Sequence, residues 1–160
     1  MGKRTGFSKL ETLLTCGLVG VIAVVVIPRY ASAADTSRID QTHAELVRLA
    51  DMFKRFSATN GYYPPDTVVG KLPPEMRTRV SDAFEGRDPF KGITPIGGQY
   101  DYELPQENGP ISINIIGSTI IDPPSAEDAM LLDAMIDDGD LLTGNFRIID
   151  SGFAFAFDRK

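Results

Sequence analysis

The residues of this sequence whose types and spacing could do chemistry are acidic. Glu11 stands near the start of a run, Leu10 to Ile27, that is otherwise largely apolar. Asp137, Asp138 and Asp140 crowd together around Gly139. A carboxylate in an apolar stretch is costly to keep charged, so Glu11 calls for an opposite charge as its partner. Three carboxylates in one turn repel one another unless a cation relieves them, and oxygen donors of this kind suit calcium. The twelve-residue spacing of a helix-loop-helix calcium loop and its terminal Glu are absent, and a solvated acidic turn accounts for the same residues. Both readings stand. Other reactive groups are scarce. His43 is the only histidine, and with no Cys or second His beside it in sequence it reads as a packing residue. Cys16 is the only cysteine, so no intrachain disulfide can form. No phosphate-cradling loop, HExxH, GxSxG or CxxC is present. The chain therefore reads as non-enzymatic. Its net charge of −6 makes it a poor general binder of phosphate backbones, so nucleic acid is not an expected partner.

The elements that must position these carboxylates follow from the pattern of apolar residues. A short basic leader with Lys3 and Arg4 precedes the apolar run, and Pro28 and Arg29 close it. Eighteen residues in a helix span about 27 Å, close to the hydrocarbon thickness of a bilayer. Beyond it, Ile39, Leu46, Val47, Ala50, Phe53 and Phe56 recur at helical spacing, with Asp40, Glu45, Arg48, Lys54 and Arg55 mostly on other faces. One helix from Ser8 to about Thr59 is expected, ended by Asn60-Gly61 and blocked by Pro64-Pro65.

The start of the chain resembles the class III signal of type IV pilins and type II secretion pseudopilins. That pattern is a short basic leader ending in Gly, then Phe, a Glu four residues on, an apolar run and a Pro near its end. Gly6, Phe7, Glu11 and Pro28 supply it in register. Asn60-Gly61-Tyr62-Tyr63-Pro64 resembles the NGxYP that follows the long helix in many pseudopilins. Asp88-Pro89-Phe90 through Tyr100-Asp101-Tyr102 is similar, more loosely, to the DPWG-x-PYxY region of the major pseudopilin. The stretch from Ile136 to Gly144 is similar to an IDDG…TG tail of pilin-like proteins. Lys9 and Thr12 stand where the family usually has aliphatic residues, a departure that points towards a minor subunit.

The resemblance implies a leader, 1–6, cleaved after Gly6 by a prepilin peptidase, and N-methylation of Phe7. It implies a membrane or filament-core helix over 7–28 and a periplasmic domain over 29–160. The carboxylate of Glu11 would then meet the N-terminal ammonium of a neighbouring Phe7, which is the compensating charge that the apolar setting demands. Membrane lipid, the inner-membrane assembly platform and other pilin or pseudopilin subunits are the implied partners, and calcium in a C-terminal loop is implied as well. The expected function is a structural subunit of a type II secretion pseudopilus. A minor pilin of a type IV pilus is the neighbouring alternative. A third reading is an ordinary exported protein, cut after the A-x-A pattern of Ala31-Ser32-Ala33. A lipoprotein box at Leu13-Leu14-Thr15-Cys16 is set aside, because the apolar run lies after the cysteine.

For the rest of the chain the expected fold is α+β, a pilin fold in which the long helix packs on about four antiparallel strands. Pro74 to Phe84 reads as a short helix with Met76, Val80 and Phe84 on one side. Ser125-x-x-Asp128 reads as a capping box opening a helix to about Ile136. A turn at Asn108-Gly109 would pair Leu104 with Ile113 and Tyr102 with Ile115. A turn at Ser151-Gly152 would pair Ile148 with Phe155 and Phe146 with Phe157. In both, the apolar residues share one face, which should lie on the Ile39–Phe56 stripe.

Overall fold

The computed structural model describes residues 9–105 and 109–159; the side chains at 23, 25–33 and 159 lie outside that description. The leader and the Gly6-Phe7 junction also lie outside it, as does Asn108 of the first expected turn. Helix α1 runs from Lys9 to Asn60. It is followed by a 3-10 turn at Pro74–Met76, α2 at Arg77–Ala83 and a second 3-10 turn at Pro89–Lys91. Then come β1 (Gln99–Glu103), β2 (Pro110–Ile116), α3 (Ala126–Ile136), β3 (Phe146–Ile149) and β4 (Gly152–Arg159). The four strands form one antiparallel sheet in the order β1-β2-β4-β3. The chain divides into two compact units, Met1–Ser37 and Arg38–Lys160. The expected α+β architecture, a long helix with a four-stranded antiparallel sheet, is the one observed.

In the second unit, α1 stays helical to Asn60 because little in it competes for the backbone. Hydroxyls that could compete bond one turn back instead, as Thr42 Oγ1 does to the Arg38 carbonyl at 2.9 Å. It stops where Gly61 takes φ +79°, with its N–H donating to the Ser57 carbonyl at 2.7 Å. α3 opens on Ser125, whose hydroxyl accepts from the Asp128 N–H at 3.1 Å as the capping box requires. Met76, Val80 and Phe84 are all buried, as their spacing predicts.

The core is a single cluster in which Leu46, Leu49, Phe53 and Phe56 of α1 join the inward residues of the sheet. Phe53 and Tyr102 stack with ring centroids 4.2 Å apart and planes within 6°, and both are fully buried. So the apolar face of the sheet does meet the α1 stripe, but the stripe is rotated from its expected centre. Leu49 is buried and Val47 is 47% exposed. Glu45, expected on an outer face, is 5% exposed. Its burial has a chemical cause: one carboxylate oxygen accepts from Arg87 at 2.5 Å and from Gln41 at 3.2 Å, and the other from the Tyr100 hydroxyl at 3.1 Å. Arg87 and Arg48 then lie over the Phe84 ring, each 5.4 Å from its centroid, and Arg48 also donates to the Ala83 carbonyl.

Both strand registers differ from expectation by two residues. Tyr102 pairs with Ile113 and Tyr100 with Ile115; Phe146 pairs with Phe155 and Ile148 with Phe153. The second turn is centred on Asp150-Ser151, one residue earlier than expected, and the connection between β1 and β2 is longer than two residues. Gly152 cannot belong to the turn because it is a ladder residue of β4. A Cβ there would run into the Ile115 carbonyl, so glycine lets β2 approach. A shift of two keeps every side chain on its face, so the apolar face survives the correction.

The Glu45 contacts make this carboxylate the polar tie between α1, the 84–88 loop and β1. Glu45→Ala leaves the buried Tyr100 hydroxyl without its acceptor and should cost about 2 kcal/mol in chemical unfolding. Glu45→Gln, which keeps an oxygen, should cost less. Equal stability of wild type and Glu45→Ala would show that the tie is dispensable.

Candidate functional site

The first candidate site lies on the N-terminal half of α1. Its helical backbone carries Glu11 on the first turn, with Thr15 Oγ1 donating to the Glu11 carbonyl at 2.7 Å. Leu10, Leu13, Leu14, Leu18, Val21 and Val24 are all exposed, which leaves a helix coated in aliphatic side chains. Gly17 and Gly20 have nothing within 4 Å of where a Cβ would stand. Cys16 is exposed on the same helix as a free thiol. Among the described residues, no helix is long and apolar enough to cross a membrane. The apolar run 10–27 is only partly covered by them, because the side chains at 23 and 25–27 fall outside. Pro28 is helical in its backbone and its side chain is not described; Gly6 and Phe7 are outside altogether. Glu11 is therefore the one residue of the expected processing and assembly set whose surroundings are visible.

The second candidate is the acidic loop after α3. α3 ends without a basic residue in its last turn, so nothing on the helix itself offsets the negative pole there. The three expected carboxylates do converge on one loop, but each is engaged with the loop's own donors. Asp137 accepts the Asn145 N–H, closing the loop end to end. Asp138 accepts the Asp140 N–H at 3.0 Å and the Thr143 hydroxyl at 3.4 Å, and Asp140 accepts the Leu142 N–H at 3.1 Å. Gly139 and Gly144 adopt positive φ within it, and a side chain at 144 would strike the Asp137 carboxylate. Among the described residues, no three His, Cys, Asp or Glu side chains stand together as a ready-made metal cluster.

A fourth carboxylate belongs to this region and the sequence pattern did not reveal it. Asp133 is fully buried in α3, one helical turn before Asp137, and neither of its carboxylate oxygens has a hydrogen-bonding partner. Burial, then the charges of Asp137 and Asp138, raise its pKa above the usual carboxylate range, against a smaller lowering by the nearby Gly139 N–H. The sequence signal was available: Asp133 falls on the α3 face that Ala129 and Leu132 bury. His43 lines an open groove of about 430 Å³ with Val47, Met135, Ile136 and Phe155, a setting that fits packing rather than ligation.

A long helix with an aliphatic, acid-bearing start and a helix-on-sheet globular unit are the features expected of a pilin fold. Comparison with curated proteins narrows the class. The chain is 26% identical to the type II secretion system core protein G of Klebsiella michiganensis, over 68% of this chain and 79% of that protein. It is 25% identical to the protein of the same name from Vibrio cholerae, over 74% of this chain and 83% of the other. The Pseudomonas aeruginosa protein of that name is 22% identical over 72% and 84%. No protein-family model matches the chain, and no solved structure does. The resemblance to pseudopilins is thus borne out by relatives that match 68% to 74% of this chain.

Proposed function

We propose that this chain is a structural, non-catalytic subunit of a type II secretion pseudopilus. The observation that carries the reading is the similarity to core protein G, which extends over most of both chains. Neither the fold nor the relatives favour a minor type IV pilin or an ordinary exported protein. In this reading, a prepilin peptidase cuts after Gly6 and Phe7 is N-methylated. The subunit waits as a single-pass protein of the inner membrane, its globular unit in the periplasm, until the assembly platform adds it to a filament of pseudopilin subunits. The aliphatic coat of α1 supports this, since such a surface needs lipid or neighbouring helices around it. Glu11 then pairs with the Phe7 ammonium of an adjacent subunit.

Processing is checked by intact mass and N-terminal sequencing of the protein from membranes. The mature chain should begin with N-methylated Phe7, and Gly6→Ala should slow the cut. A start at Ala34 would establish ordinary export instead.

For assembly, Glu11→Ala and Glu11→Leu should still enter the membrane, since each removes a charge from an apolar stretch. Both should fail to join filaments in a co-assembly assay. Wild-type incorporation of the two variants would remove the charge pairing from the mechanism.

For the acidic loop a calcium site stands beside a solvated turn, and one measurement separates the two. Carboxylate oxygens suit a hard cation, and Asp137, Asp138 and Asp140 would hold it, near the buried Asp133 on which their charges act. Binding would have to replace the backbone donors these carboxylates now use. Calcium should therefore raise the melting temperature of the fragment starting at Ala34, and chelator should lower it. Magnesium should do less, and Asp138→Ala should abolish the response. Superimposed melting curves with calcium and with chelator, at matched ionic strength, would leave a solvated turn.

A further inference from the structure

Asp101 is a second buried carboxylate, remote in sequence from the acidic loop. It lies between Tyr100 and Tyr102 on β1, so it points away from the face on which those tyrosines meet α1. It is nonetheless only 6% exposed, and its Oδ1 has no hydrogen-bonding partner. Across the sheet it faces Asn114, a neutral residue whose own side-chain oxygen accepts from Ser112. The charged groups that act on it are acidic: Asp66, from the segment 61–72, and Glu103, two residues along its own strand.

That segment lies along the open edge of β1. Gly70 N–H donates to the Tyr100 carbonyl at 3.1 Å, the Gln99 side chain packs against Gly70, and the Tyr102 hydroxyl donates to the Pro64 carbonyl at 3.2 Å. Gly70 has φ +73°, and a Cβ there would meet the Gln99 amide, so glycine permits the close approach. An edge strand is thereby covered by a strap with few backbone bonds to it. A charged Asp101, its Oδ1 buried without a donor, would be repelled by Asp66 of this strap and by Glu103. A neutral one would be an acceptable buried group.

We propose that Asp101 is a proton-operated latch for the 61–72 strap: the protonated carboxyl lets the strap lie closed on β1, and loss of the proton releases it. Burial, then the charges of Asp66 and Glu103, hold the Asp101 pKa up at about 7 while the strap is closed. Once the strap opens, water returns and the value falls to the ordinary carboxylate range, near 4. The sign follows directly. Below about pH 4 both states hold the proton and closure is fully favoured. Between about 4 and 7 only the closed state holds it, so the opening constant rises up to tenfold per pH unit. Above about 7 neither holds it and the dependence levels off.

The test is amide hydrogen exchange of the full-length chain in detergent micelles from pH 4.5 to 8, corrected for intrinsic rates and read at Gly70 and its neighbours. Protection there should fall with pH to a plateau above about 7. Asp101→Asn should make protection independent of pH, and Asp66→Asn should move the start of the plateau to lower pH. Flat wild-type protection, or an unchanged slope in Asp101→Asn, would overturn the latch. Should Asp101→Asn fail to fold, Asp66→Asn decides alone: an unmoved plateau also overturns it.

Discussion

The seating of β1 on α1 is the constraint on which the globular unit depends. Phe53 and Tyr102 meet face to face at 4.2 Å, and about two turns earlier in the helix Glu45 holds the Tyr100 hydroxyl. The first contact removes large apolar areas from water and sets the depth of the sheet. The second fixes its direction, because a buried carboxylate must find its donors in particular places. Once β1 is placed, β2 follows by ladder bonds, and β4 and β3 in turn. Arg87 and Arg48, both over the Phe84 ring, bring the loop after α2 to the same point. An ion pair between a buried carboxylate and a half-exposed guanidinium adds little to net stability, but it tolerates few alternative arrangements.

Much of this was legible in the residues. The C-terminal limit of α1, the capping box at Ser125 and the apolar face of Tyr102, Ile113, Phe146 and Phe155 all follow from spacing. The registers did not, because turn position depends on contacts across the sheet. Ser151-Gly152 looks like a two-residue turn until β2 is present to claim Gly152 for the ladder. Glu45 was misread for a related reason. A carboxylate at helical spacing among other charged residues looks exposed, and only the fold brings Arg87 and Tyr100 to it from 42 and 55 residues away.

The candidate sites were legible to different depths. The N-terminal pattern of Gly6, Phe7, Glu11 and Pro28 is a linear signal, so it can be read without a fold, and only its Glu11 falls where side chains are described. The acidic loop was found by composition, yet its internal order was not: Asp137 reaching the Asn145 N–H depends on the backbone turning through Gly139 and Gly144. Asp133 went unnoticed although its place on the α3 face marked it, and Asp101 because a single aspartate on a strand carries no pattern. Their burial is a property of the helix face and the strand face on which they happen to sit. Three buried acids thus receive two treatments, with Glu45 paired and Asp101 and Asp133 left with unpartnered oxygens.

The contrast between the two hairpin connections bears on how sequences of this kind can drift. The β1–β2 connection is long enough that added or lost residues change only its length, and a mispairing by two would still keep apolar side chains inward. Position 152 has no such latitude. Any of the nineteen other side chains would push β2 and β4 apart at the Ile115 carbonyl, unzipping the centre of the sheet from one end. Insertions should therefore accumulate in the first connection during divergence, while the second hairpin stays fixed in length and anchored on its glycine.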